Sequence, residues 1–158
     1  MLLLSDGRKL RGALALALTG LIVLGVGGVR TDADADERVG RRRQMLALTN
    51  EDREQRERDE LAFAARLSRY AKRHSQAMAD AGQIFHSDAD DIRAALEGYR
   101  WSLAGENVGV GTTLDGLQSA FMHSKLHREN ILRTTFEHAA VGVVRTNGHL
   151  WVTVIFYG

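Results

Sequence analysis

Apolar and polar positions follow three different rhythms along this chain. From Gly12 to Val29 the 18 residues GALALALTGLIVLGVGGV carry no charge, and Arg8, Lys9 and Arg11 precede them. As a helix the run would be about 27 Å long, close to the roughly 30 Å hydrocarbon layer of a bilayer. Residues 1–30 therefore read as a membrane anchor with its positive flank on the cytoplasmic side. The alternatives are a secretory signal peptide, with Ala33-Asp34-Ala35 as a candidate cleavage site, and a buried core helix. Residues 31–40, which include DADADE, have no apolar period and read as a linker. Helical rhythm follows. It predicts an amphipathic helix from Arg41 to about Arg58, with Met45, Leu46 and Leu48 inward and a wide charged face. It predicts a second from about Ala64 to Ala81, where Leu67, Tyr70, Ala71 and Met78 recur and Gly82 marks the end. Shorter helices are expected at Ala89–Leu96, from a Thr112 or Thr113 cap through Leu114, Leu117, Phe121 and Met122, and at Leu126–Leu132. The tail changes to a strand rhythm: Ala140–Arg145 and Leu150–Tyr157 flank Asn147-Gly148, a strong hairpin signal. Helices first and a terminal hairpin predict an α+β fold, with an N-terminal hydrophobic helix ahead of it.

Composition narrows the function. The chain has 158 residues, room for one domain at 41–158 besides the leader. The formal charge is +1, and beyond residue 30 acids slightly outnumber bases, so the concentrated basic face of a nucleic-acid binder is missing. The absence of cysteine excludes disulfides, a thiolate nucleophile and cysteine-ligated zinc. Without proline, loops must turn on Gly, Asn and Asp.

Candidate chemistry gathers around Ala104-Gly105-Glu106-Asn107-Val108-Gly109-Val110-Gly111. Three glycines let other groups approach the backbone closely, and a carboxylate placed there needs partners to offset its desolvation. Beside glycines, the Asn107 amide is suited to holding a loop through backbone hydrogen bonds. His123 and His127 stand at i, i+4 and would share a face, and could share a metal, if one helix ran through both. The pair lacks the adjacent glutamate of the zinc-protease motif. Ser124 is the nucleophile candidate nearest His127, without a Gly-x-Ser-x-Gly elbow. Arg128 reads as an ion-pair or helix-end partner and Asn130 as the residue fixing the following turn. His74, His138 and His149 read as solvated.

Four segments, MLALTNEDR at 45–53, FHS at 85–87, AGENVGVG at 104–111 and HSKLHRENIL at 123–132 followed by AAVGVV, together resemble the CAP superfamily. This is the group of cysteine-rich secretory, antigen-five and pathogenesis-related proteins, and the likeness is closest to its bacterial extracellular branch. It covers about Arg41 to Gly158. The resemblance implies a three-layer α-β-α sandwich with a central antiparallel sheet and an open groove lined by two histidines and two acids. It carries the histidines onto His86 and His127 and one acid onto Glu106. The second acid's place falls on Ser124, and the Ser-Pro-Gly-His-Arg of bacterial relatives reads Ser124-Lys125-Leu126-His127-Arg128 here.

What the resemblance implies about chemistry is open, since lipid binding, cell-wall association, proteolysis and metal binding are all associated with the family. His86, His127 and Glu106 would be a partial shell for a weakly bound divalent metal such as zinc. They could equally do general acid–base work. The expectation for this chain is an extracytoplasmic domain, membrane-anchored through residues 12–29 or secreted. It would bind an envelope lipid, glycan or peptide at His86, Glu106, His127 and Ser124, supported by Asn107, Arg128 and Asn130. The alternatives are a metal-assisted hydrolase of a peptide or cell-wall component, with Glu106 positioning water, and a structural domain with a vestigial groove.

Overall fold

The computed structural model describes residues 2–5 and 32–158, with side chains described for 2–5 and 40–158. In chain order the elements are β1 (Leu2–Ser5), α1 (Asp32–Glu54), β2 (Ala62–Phe63), α2 (Ser68–Ala81), α3 (Ala89–Ala95), β3 (Leu103–Gly111), α4 (Leu114–His123), α5 (Lys125–Leu132), β4 (His138–Thr146) and β5 (His149–Tyr157). The 12–29 run read as an anchor lies outside the described residues. Among the described residues, no helix is long and apolar enough to cross a membrane.

The predicted hairpin forms the centre of the sheet. Asn147 and Gly148 both have positive φ, 51° and 77°, as a two-residue turn matched to strand twist requires. They connect β4 to β5 in the register Thr146↔His149 through His138↔Tyr157. β3 pairs antiparallel along the other side of β5, from Ala104↔Tyr157 to Gly111↔Leu150. The glycine-rich stretch is thus an inner strand, not a loop. The sheet order is β1-β3-β5-β4-β2. It is antiparallel except where β2 pairs parallel with β4, so the expected antiparallel sheet is in fact mixed.

Side-chain alternation divides the core into two layers of contact. Val141, Val143, Val152, Val154 and Phe156 face α1, α4 and α5, where Met45, Leu117, Phe121 and Ile131 meet them. Ala104, Ala140 and Ile155 face α2 and α3 through Leu67, Ala71 and Ile92. The molecule is therefore the three-layer α-β-α sandwich, α1/α4/α5 over the sheet over α2/α3.

The glycines explain how close these layers come. A Cβ on Gly142 would lie 2.2 Å from the Ala71 backbone, so α2 rests directly on β4. A Cβ on Gly105 would lie 2.8 Å from Asn130 Oδ1, and Gly109 and Gly111 lie against Leu117 and Phe121 in the same way. In β3 these glycines give α4 and α5 a near approach.

Local signals set the helix ends. Thr113 accepts a bond from Gly116 N at 3.1 Å and starts α4. Asp88 caps α3 by accepting from Asp90 N at 2.8 Å. Gly82, with φ 66°, closes α2 in the left-handed conformation. The acidic stretch expected to be a linker is drawn into α1 from Asp32; acids at a helix N-terminus are favoured by its dipole. The charged end of α1 also hides a buried residue. Arg53 is 1 % exposed, and its guanidinium donates to the carbonyls of Asp59, Ile131, Arg133 and Phe136 at 2.6 to 3.4 Å.

Candidate functional site around Glu106

Glu106 and Asn107 are neighbours on β3, so their side chains leave on opposite faces of the sheet. Both are fully buried. Glu106 points to the α2/α3 layer, where the loop between those helices brings His86 and Ser87. Its Oε2 accepts from His86 Nδ1 at 2.7 Å and from Ser87 N at 3.0 Å; its Oε1 accepts from the Ser87 hydroxyl at 2.6 Å. His74 of α2 approaches Oε1 at 4.0 Å. Its Nε2 donates to Phe85 O at 2.8 Å, and its ring meets Phe85 edge-on.

Burial is the largest influence on the Glu106 carboxyl and pushes its pKa up. Together the bonds from His86 and Ser87, with the nearby His74, outweigh it and hold the carboxyl below its ordinary value. Glu106 is ionised at neutral pH, and the His86 nitrogen that faces it, Nδ1, is the donor.

Asn107 points the other way, to α5. Its Nδ2 donates to His127 O at 3.1 Å, while its Oδ1 accepts from Asn130 Nδ2 at 2.9 Å. Asn130 also donates to Glu106 O at 3.3 Å. Asn107 therefore bonds backbone as expected, but it ties a helix to a strand. Asn130, expected to fix the turn that follows it, accepts there from Arg133 N at 3.4 Å through its carbonyl, while its side chain bonds β3. Arg128 is a helix-end partner, donating from Nη1 to Met122 O at 2.7 Å.

His127 lies half-buried on α5 with its ring 5.1 Å from that of Phe121. Burial above all lowers its pKa, with His86 contributing in the same direction, so it is neutral at pH 7. His86 and His127 flank β3 from its two faces, close to the Glu106 end of the β1 pairing. Of the two, it is His86 that bonds the Glu106 carboxylate.

Several sequence expectations are corrected here. Ser124, with φ −83° and ψ 119°, breaks α4 from α5, so His123 and His127 stand on different helices and the i, i+4 metal pair does not form. The Ser124 hydroxyl does not cap α5. His74 is 9 % exposed rather than solvated, and the half-buried His138 ring stacks on Tyr157 at 4.7 Å. His149 is exposed, as expected. His74 and Ser87 are site residues that the sequence reading missed. The interval Leu67, Ala71, His74, Met78 places His74 on the inner stripe of α2, a signal the surrounding charges obscured. Ser87 offered no signal beyond its place next to His86.

Zinc requires three or four protein ligands. Among the described residues no group of three or more His, Cys, Asp or Glu is arranged to hold a metal. The Glu106 oxygens are turned to His86 and Ser87, so the residues present do not fit a His86–Glu106–His127 metal centre. A carboxylate with no exposed surface and both oxygens hydrogen-bonded is also poorly placed to position water.

Comparison with known proteins agrees with this architecture. Residues 46–156 match the model of the cysteine-rich secretory protein family, CAP. The chain is 31% identical over 115 residues to the protein YkwD of Bacillus subtilis (strain 168), across 69% of this chain and 44% of that relative. An extracellular protein containing an SCP domain from Bacillus anthracis superposes with a TM-score of 0.65 at 26% identity, over 83% of this chain and 45% of that one. An outer surface protein of Borrelia burgdorferi gives 0.65 at 18% identity, over 80% and 95%, which speaks for the fold alone. The chain thus spans less than half the length of its Bacillus relatives. With the family model matched over residues 46–156, from within α1 into β5, the chain belongs to the cysteine-rich secretory protein, or CAP, family.

Proposed function

We propose that this protein is an extracytoplasmic binding domain that presents His86, with His127 on the other face of β3, to a lipid, glycan or peptide of the cell envelope, and that residues 12–29 anchor or export it. The observation that carries the binding reading is the state of Glu106. Its carboxylate is spent on holding His86 and Ser87, which suits a fixed recognition surface better than a proton-transfer group that must reach water. Ile84, Phe85 and Leu126 support the reading, because these large apolar side chains remain 37 to 51 % exposed next to His86 and His127 in the sequence. Exposed apolar residues beside a fixed polar group are usual at ligand sites. The extracytoplasmic location is supported by the likeness to the Bacillus anthracis extracellular protein.

The test is a binding screen of the purified full chain against bacterial phospholipid vesicles, peptidoglycan fragments and extended peptides. His86→Asn retains a donor near Nδ1 for Glu106 while removing the outer ring nitrogen. It is expected to weaken binding about tenfold, the loss of one to two hydrogen bonds, with little change in melting temperature. Equal binding by both proteins to every ligand that binds would overturn the reading.

A further inference from the structure

β1 covers the outer edge of β3 immediately beside the Glu106 site. Leu2↔Glu106 and Leu4↔Ala104 pair in antiparallel register. Leu4 is 6 % exposed among Leu67, Ala104, Ile155 and Tyr157, and Leu2 packs partly against the same cluster. Leu3 and Ser5 face the other way and are exposed. The edge thus provides main-chain pairing, and on one face an apolar seat for side chains at alternate positions.

The proposed topology removes this occupant. Arg8, Lys9 and Arg11 lie between Leu2–Ser5 and the 12–29 run. If that run spans a membrane with its positive flank inside, Leu2–Ser5 and the folded domain stand on opposite sides. If the run is cleaved, Leu2–Ser5 leaves with it. Either way Leu103–Glu106 becomes a bare edge beside an apolar hollow, and bare edges recruit extended chains.

We propose that the outer edge of β3 is a strand-addition site for an extended peptide with apolar side chains at alternate positions, and that Leu2–Ser5 occupies it as a stand-in. This rests on the binding reading of the Glu106 site and names its ligand class as peptide. Main-chain pairing would supply affinity, the Leu4 seat would select an apolar residue, and a peptide running past Glu106 would meet His86 and His127.

The experiment uses the full chain carrying Leu4→Asp, which expels β1, and a labelled peptide of sequence MLLLSDG. The peptide is expected to bind saturably, and about tenfold more tightly than to the unaltered chain, whose edge is occupied. Two further peptides carry N-methyl groups on alternate amides. In antiparallel addition only every second amide faces the edge, so one should bind normally and the other lose about tenfold or more. Should Leu4→Asp fail to melt cooperatively, Leu2→Asp opens the same edge from a less buried position. Absence of saturable binding to a folded variant, or equal binding of the two methylated peptides, overturns strand addition. If vesicles or glycan fragments still bind in a His86-dependent way, strand addition alone falls; if nothing binds, the binding reading falls with it.

Discussion

At the residue scale, Glu106 determines what its neighbours do. Its lowered pKa means that the folded state holds the carboxylate more tightly ionised than the unfolded chain does. Its contribution to stability is therefore present above the ordinary carboxylate range, about pH 4, and is lost as pH falls through the lower folded value. Glu106→Gln should cost about 2 kcal/mol at pH 7, since two Ser87 donors and the His86 ring lose a charged acceptor. The gap from the unaltered protein should narrow towards pH 3. Urea unfolding at several pH values checks this, and a constant gap would show that the carboxylate's charge is not the cause. His127 works in the same direction at higher pH. Its folded pKa is lowered, so the native state resists protonation, and stability should begin to fall as pH drops through about 6.5. The sequence singled out Glu106, His86 and His127 through motif resemblance, but not the set of groups that bond Glu106. The bonds from Ser87, and His74's approach, depend on how the α2–α3 loop folds back on β3, which no spacing along the chain encodes.

At the element scale, the stretch around Glu106 read as an open backbone because three glycines suggested a loop. They instead belong to a regular strand, and the period of two in Gly105, Asn107, Gly109 and Gly111 marks the face where α4 and α5 come close. That period is present in the sequence. What cannot be read there is whether a helix lies against it. The hairpin, the end of α2 and the start of α4 were legible because local chemistry sets them: Asn147-Gly148, Gly82 and Thr113. The start of α2 was not: expected at about Ala64, it lies at Ser68, behind an N-cap, Leu67, that makes no side-chain bond. Arg53 was not, since a charged residue in a charged run looks solvated until α5 and the following turn present their carbonyls to it. The glycine account predicts an order of costs. At Gly142 a methyl group meets the Ala71 backbone at 2.2 Å, whereas at Gly105 it meets the Asn130 side chain, which has some freedom to move. Gly142→Ala should therefore cost about 3 kcal/mol or more and Gly105→Ala roughly 1 to 2, compared by thermal melting. The reverse order would mean that β4 and α2 separate more easily than their packing implies.

At the scale of the whole molecule, β1 and the 12–29 run make opposite demands. Pairing of Leu2–Ser5 with β3 requires the N-terminus and the domain to share a compartment, whereas a spanning run with its positive flank inside divides them. The sequence suggested the second arrangement from charge and hydropathy alone. It gave no sign of the first, because four residues with three leucines are too short for any period to declare a strand. The absence of native cysteine makes the conflict measurable, since a single introduced thiol has no background. Ser5→Cys and Ser119→Cys both lie at exposed positions. With a membrane-impermeant maleimide on intact cells, Ser119→Cys should label while Ser5→Cys stays protected until lysis, or is missing from the mature protein. In purified protein freed from the bilayer the strand can return. There Leu4→Ala should lower stability by roughly 2 kcal/mol, the worth of a buried leucine's lost methyl groups. Labelling of Ser5→Cys on intact cells would place β1 outside with the domain, so that the β3 edge stays covered and strand addition there is overturned.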